Sequence, residues 1–324
     1  MLLRTLVLKG SSLPLVERTV RKSFLFRPVV RRFIAGDTLA QAIKASEGLV
    51  ERGIKVTLDY LGENVGNEQE AEKAKQEYIA MLDAVANSPC GAQTMSRTEQ
   101  DDLLHPGQIE STNISIKLTQ CGLDQSDELA ERNLREVLDA AKRHQTFVRV
   151  DMEGSPYTQR TLDILFRVWP EFNNTGTVLQ SALRRTPLDV EEIVKRQIRC
   201  RLVKGAYLEP ANIAYAEKAK VDSAYVACAK KLLDEGFYPA IATQDEHIID
   251  ELLKHVKDNQ IEKSRFEFQM LYGIRRDLQD RLAAEGYNVR VYIPFGDKWY
   301  PYFMRRLAER PANLLFIARA FFKG

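Results

Sequence analysis

The 324-residue sequence predicts an α/β protein built around a closed parallel (β/α)8 barrel. Three observations predict it. From residue 55 onward, short β-branched and aromatic runs alternate with longer segments of helical period, and the alternation repeats eight times in roughly 255 residues. An open doubly wound sheet seldom repeats so evenly. The length accommodates one barrel, and a hydrophobic fraction of 44% with 28% charged residues is that of an ordinary globular chain.

The elements follow in order. KVTLDYLG (55 to 62) reads as the first strand, with a helix over EQEAEKAKQEYIAMLDAVA after it. NISIKLT (113 to 119) precedes DELAERNLREVLDAAKRH, and TFVRVDME (146 to 153) precedes TQRTLDILFRVW. TVLQSAL (177 to 183) leads into PLDVEEIVKRQ, and RCRLVKGAY (199 to 207) into a helix from about Tyr215 to Glu235. YPAIAT (238 to 243) comes before DEHIIDELLKHVKD, with Asp245 as a helix cap. RFEFQML (265 to 271) comes before RRDLQDRLAAEG, and NVRVYIPF (288 to 295) before the last helix. Residues 1–54 are expected to be a helical arm outside the barrel of residues 55–324.

The last helix, WYPYFMRRLAER (299 to 310), has Asp297 available as a cap, Pro301 in its first turn and Pro311 beyond its end. Spacings of three, four and seven put Tyr302, Arg305, Arg306 and Glu309 on one stripe. That stripe is either a solvated face with an Arg305 to Glu309 pair or one wall of a site.

Composition excludes several classes. No run reaches the roughly 18 apolar residues of a membrane span, and MLLRTLVLKGSSLPL has no convincing export cleavage site. Cys90, Cys121, Cys200 and Cys228 lie far apart, and His105, His144, His247 and His255 have no metal-ligand spacing, so neither a disulfide framework nor a metal is expected. The net charge of +2 argues against nucleic acid, but its distribution is uneven. Residues 1 to 32 hold eight basic side chains against Glu17 alone, hence +7, which leaves −5 for the remainder. Such an arm suits either a solvated helix or peripheral contact with an anionic membrane.

Barrel enzymes work at the carboxyl ends of their strands. Glu63, Lys117, Asp151, Gln180, Lys204, Tyr207, Thr243, Gln244 and Tyr292 all fall there. Two adjacent arginines with a lysine make a receptor for a carboxylate or phosphate. No GxGxxG, no GxxxxGK[ST] and no nucleophile elbow is present, so a Rossmann site, a phosphate loop and a triad are unsupported. A barrel enzyme of a phosphorylated metabolite and a non-catalytic membrane-surface module that uses the basic arm remain as alternatives.

The stretches VRRFIAG, TLDYLGE, ISIKLTQ, VRVDME, LQSAL, RLVKGAY, PAIAT, FEFQML, VYIPFG and YFMRRLAE run in order over about 290 residues. Together they resemble the proline dehydrogenases, flavin enzymes that oxidise L-proline to 1-pyrroline-5-carboxylate. The resemblance implies a distorted barrel whose last helix lies over the mouth. It implies that Arg305, Arg306 and Lys117 bind the substrate carboxylate, that Glu309 holds one arginine, and that Glu63 pairs with an arginine to close the site. Asp151 matches the acid at the catalytic centre, where it orients basic residues, and Arg201 matches the arginine at the reactive edge of the flavin. Met152, Gln180, Val203, Lys204, Gly205, Ala206, Thr243 and Gln244 match positions that line FAD, although some relatives carry histidine where Gln244 stands. Tyr207, Leu271, Tyr292 and Tyr302 match the walls around the substrate ring, and the bulk of Tyr302 disfavours hydroxyproline. The resemblance further implies hydride transfer from proline C5 to flavin N5, a membrane quinone as acceptor, and a separate pyrroline-5-carboxylate dehydrogenase. With the chain ending at Gly324, it implies a monofunctional enzyme.

Overall fold

The computed structural model describes residues 17, 18, 20, 21, 26–92 and 109–309; the side chains of residues 92, 308 and 309 lie outside the description. Eight parallel strands close on themselves in sequence order: β1 (Lys55–Tyr60), β2 (Thr112–Ile116), β3 (Val148–Val150), β4 (Thr175–Gln180), β5 (Arg199–Val203), β6 (Ala240–Ala242), β7 (Glu267–Leu271) and β8 (Asn288–Phe295). Closure is made by β8 on β1, with Arg290 opposite Lys55 and Phe295 opposite Tyr60. All eight predicted strands are present. Most are shorter than the sequence predicts at the carboxyl end: β3 stops at Val150, β4 at Gln180 and β5 at Val203. Lys117, Asp151 and Tyr207 therefore belong to the turns that leave the strands, where a side chain escapes the flat ladder and reaches the mouth.

Six helices follow the first six strands much as the periodicity predicts: α3 (Glu68–Ala86), α5 (Asp127–Arg143), α6 (Ser155–Val168), α7 (Thr186–Lys195), α8 (Lys218–Glu235) and α9 (Glu246–Asp258), while α10 (Arg276–Ala284) follows β7. A short α4 (Pro89–Ala92) after α3 is not foreshadowed by any period. Local chemistry starts these helices: Asn67 accepts from the Glu70 amide and Ser126 from the Leu129 amide, each satisfying an orphan donor of the first turn. In α5 the acids Asp127 and Glu128 stand in the first turn and Lys142 and Arg143 in the last, as the helix dipole favours.

Strand alternation sorts the side chains into two worlds. Val56, Leu58, Ile114, Ile116, Val148, Val150, Leu202, Phe268, Met270, Val289 and Val291 face outward and form the main core under the helices. The intervening Thr57, Ser115, Arg149, Arg201, Glu267, Gln269 and Arg290 are buried and bond to one another across the barrel interior. Barrels of this type usually fill that space with bulky branched residues. Here the interior is ionic.

The segment before β1 divides between two tasks. Helix α2 (Leu39–Val50) contributes Ala42, Leu49 and Val50 to the main core and packs outside β8 and β1, the wall that an eighth outer helix normally covers. Helix α1 (Arg27–Phe33) goes elsewhere: Val29 and Phe33, with Val20, Phe26 and Ile34, form a second apolar cluster with Tyr300, Tyr302, Phe303, Met304 and Leu307 of α11 (Tyr300–Glu309). That cluster also takes in Leu61 and Ile274, which follow β1 and β7, so α11 lies at the carboxyl mouth and not on the outer wall. Helix α11 begins at Tyr300 and the Phe303 amide bonds to the Trp299 carbonyl, so Trp299 and not Asp297 holds the cap position. Arg310 and Pro311 lie outside the described residues.

Candidate active site

The mouth is built from the strand ends upward. Asp151, just beyond β3, is buried, and its two carboxylate oxygens accept from Arg201 Nη1 at 2.6 Å and from the Tyr292 hydroxyl at 2.9 Å. Arg201, near the end of β5, spends its other nitrogens on Gln269 Oε1 at 2.5 Å and Ser115 Oγ at 3.1 Å. Its guanidinium carbon lies 5.2 Å from the centroid of the Tyr292 ring. Three bonds from the guanidinium, with the Tyr292 hydroxyl steadying Asp151, fix a planar cation in one orientation beneath the mouth.

Lys117 pairs with Asp59, Nζ to Oδ1 at 2.6 Å, and both side chains are almost wholly buried. Burial opposes the Lys117 charge, but the carboxylates of Asp59, Asp151 and Glu63 outweigh it and hold the ammonium protonated, above the ordinary lysine value. Lys117 thus stays a cation that can only donate hydrogen bonds. Burial likewise pushes the Glu153 carboxyl up to about 7, against the two hydrogen bonds it accepts from Thr119 and the pull of Lys117.

From above, α11 brings Arg305, whose Nη2 lies 2.5 Å from Glu63 Oε1 and whose Nη1 lies 3.3 Å from Oε2. Glu63 comes from the loop after β1, so this ion pair straps the roof helix to the barrel. The Arg305 guanidinium also stands 5.8 Å over Tyr207, and Arg306 stands 5.2 Å over Tyr302. Leu271 and Tyr292 pack against the apolar cluster to which Tyr302 belongs, so three of the four predicted wall residues meet there. The side chain of Glu309 lies outside the described residues.

Across the mouth, the ends of β5 and β6 form a ledge. Val203, Gly205, Ala206 and Gln244 remain half-buried where the strand bodies below them are sealed, and Met152, Gln180 and Thr243 close its floor. Gly205 has φ of 111°, and a Cβ there would come within 3.2 Å of both Ala182 Cβ and Gln180 Oε1, so the turn requires glycine. Lys204 turns away from the ledge, its ammonium 2.6 Å from Asp222 and 2.8 Å from Asp245. Asp245 does occupy the cap position of α9, but its carboxylate serves Lys204. An apolar ledge with backbone edges beside a buried guanidinium suits the ring system of a flavin, which asks for one flat face and one cationic edge.

Three residues went unnoticed in the sequence: Asp59, Glu153 and Gln269. Each lies in a quoted motif, and each sits at an interior position of strict two-residue alternation, as in Thr57, Asp59 or Glu267, Gln269. That alternation of polar residues was the available signal.

The family model described as Proline dehydrogenase matches residues 42–319. The chain belongs to the proline dehydrogenase family. It is 39% identical over 302 residues to Proline dehydrogenase 1 of Bacillus subtilis (strain 168), covering 93% of both chains. It is 38% identical over 328 residues to the Proline dehydrogenase of Deinococcus radiodurans, covering 100% of this chain and 99% of that one. Among solved structures, proline utilization A of Bdellovibrio bacteriovorus, inactivated by N-propargylglycine, superposes with a TM-score of 0.79 at 25% identity. The match covers 95% of this chain and 36% of that one, so this chain spans about a third of its length. As a member of the family the chain is an oxidoreductase that oxidises proline, and a flavin is the cofactor that membership implies.

Proposed function

We propose that the enzyme converts L-proline to 1-pyrroline-5-carboxylate with FAD as its flavin, and that the residues described above share the work as follows. The position of α11 carries this reading: its arginines lie over strand ends that already hold Lys117 and Arg201. Arg305, Arg306 and Lys117 bind the substrate carboxylate. Charge-assisted bonds of this kind contribute about 1.5–3 kcal/mol each. Glu63 and Glu309 hold the arginines, and Tyr207, Leu271, Tyr292 and Tyr302 enclose the pyrrolidine ring and leave a ring hydroxyl no partner.

Met152, Gln180, Val203, Lys204, Gly205, Ala206, Thr243 and Gln244 hold FAD, with Arg201 at its reactive edge. When bound, the flavin would supply the acceptor for a hydride from C5 of proline bound as the free amine; the nitrogen lone pair forms the C5=N bond, and the iminium proton passes to solvent on release of the product. Asp151 keeps Arg201 oriented through the bond that Arg201 Nη1 donates to its carboxylate. Because Lys117 is held protonated, it positions the carboxylate and takes no proton. Closing the roof excludes water from a reaction in which proximity is the protein's main contribution.

A membrane quinone is the proposed final acceptor, and a separate dehydrogenase the consumer of the product. The arm supports a peripheral encounter with an anionic surface: Val20, Phe26, Val29 and Phe33 pack in the cluster with α11, while Arg18, Arg27, Arg31 and Arg32 are exposed. No described helix is long and apolar enough to cross a membrane.

The visible spectrum tests the reading: the purified protein should be yellow and should bleach when proline is added without air. Arg306→Met should raise the KM for proline at least tenfold with FAD still bound; an unchanged KM would remove the carboxylate assignment.

A further inference from the structure

Beneath the mouth, the barrel interior holds a second ionic cluster. Glu110 accepts from Arg199 at 2.9 and 3.0 Å, from Arg290 at 3.3 Å and from Asn113 at 2.7 Å. Glu267 accepts from Arg290 Nε at 2.9 and 3.1 Å, and Arg149 donates to the Thr177 and Arg199 carbonyls. Three guanidinium groups thus face two carboxylates, all of them at most 2% exposed. The cluster carries an excess positive charge in a medium with little screening.

Gln269 joins this floor to the mouth. Its Oε1 takes the Arg201 Nε hydrogen at 2.5 Å, and its Nε2 donates to Glu267 Oε1 at 2.5 Å. An arginine can only donate and a carboxylate only accept, so the amide has one permitted orientation. Bonds in such a chain polarise one another, and a change at either end is felt at the other. The unbroken path runs Tyr292, Asp151, Arg201, Gln269, Glu267, Arg290, Glu110, Arg199.

We propose that Gln269 is a positioning residue of the redox step: by tying Arg201 to the floor cluster, it fixes the orientation and the strength of the positive field that Arg201 presents to the bound flavin. The proposal rests on the flavin reading above. A cation at the reactive edge favours the reduced, more anionic ring, so whatever weakens that cation moves the redox balance toward the oxidised form. Gln269→Glu puts a second acid beside Glu267 and an anion against Arg201. Gln269→Met keeps the volume and deletes both bonds.

The test is an anaerobic redox titration of the purified holoenzyme and both variants at pH 8, with flavin content read from the visible spectrum. At fixed potential, Gln269→Glu should raise the oxidised-to-reduced ratio about tenfold, which for a two-electron couple is about 30 mV. Gln269→Met should shift it in the same direction by a smaller factor, and it serves if the charged variant does not fold. Variants that keep full flavin and titrate as the parent does, whatever their thermal stability, overturn the proposal and leave Gln269 a packing residue. A colourless parent that proline does not change overturns the functional reading, and this proposal with it.

Discussion

At the scale of single residues, the site is organised by pairs in which a carboxylate holds a cation still. Arg201 on Asp151, Lys117 on Asp59 and Arg305 on Glu63 are all of this kind, with separations of 2.5 to 2.6 Å. Removing one partner of a buried pair strands the other, which costs more than the pair itself contributes. Asp59→Asn should therefore cut kcat/KM for proline about tenfold or more, since an uncompensated buried ammonium costs about 1–3 kcal/mol or more. Flavin content should stay at the parental level, and a steady-state comparison together with the visible spectrum checks both. Arg201 and Asp151 were legible in the sequence as motif positions. Asp59 was not, because an acid inside a strand-like run offers no local clue to whether it faces a helix or the barrel axis.

At the scale of elements, the roof helix does not stand on the barrel alone. Phe33 of α1 packs on Phe303 of α11 with ring centroids 6.4 Å apart, Trp299 sits edge-on to Phe303 at 5.8 Å, and Arg21 caps this stack from 5.1 Å above Trp299. The cluster is distinct from the main core, so α11 answers to the arm. Phe33→Ala should remove roughly 3 kcal/mol or more of packing from this cluster. Amide exchange should speed up in α11 while the amides of β1 to β8 keep their protection, and the KM for proline should rise. Equal loss of protection in the strands would refute the separation of the two clusters. The helical period predicted a helix here and a stripe of Tyr302, Arg305 and Arg306; the resemblance implied that Glu63 pairs with an arginine, and Arg305, 242 residues away, is the one that meets it. Spacing along one helix cannot report such a contact.

At the scale of the whole molecule, the ionic floor makes barrel stability depend on acid. Burial works against the Glu110 charge, but Arg199 and Arg290 outweigh it and hold the carboxyl well below its ordinary value of 4.5. Burial also opposes Glu267, which Arg290 and Arg199 likewise keep lowered. A depressed folded pKa adds stability that is present above the unfolded value and lost as pH falls through the folded one. The protein should thus weaken progressively below pH 4.5. Glu110→Gln should cost about 3–5 kcal/mol near neutral pH, by leaving three guanidinium groups against one carboxylate, and should flatten this acid dependence. Urea unfolding at a series of pH values measures both effects.

What the sequence determined by itself was the fold and which polar side chains stand at the strand ends. Eight alternations of two periods admit few architectures, and side chains at strand ends converge because closure of the barrel brings them together. The tertiary structure alone decided the pairings. It made α2 the outer wall over β8 and β1, turned Lys204 toward Asp222 and Asp245, and threaded Gln269 between two ionic clusters. The physical reason is range. Periodicity and capping act over a few residues, whereas a buried charge is satisfied by whichever partner the closed barrel places within hydrogen-bond distance.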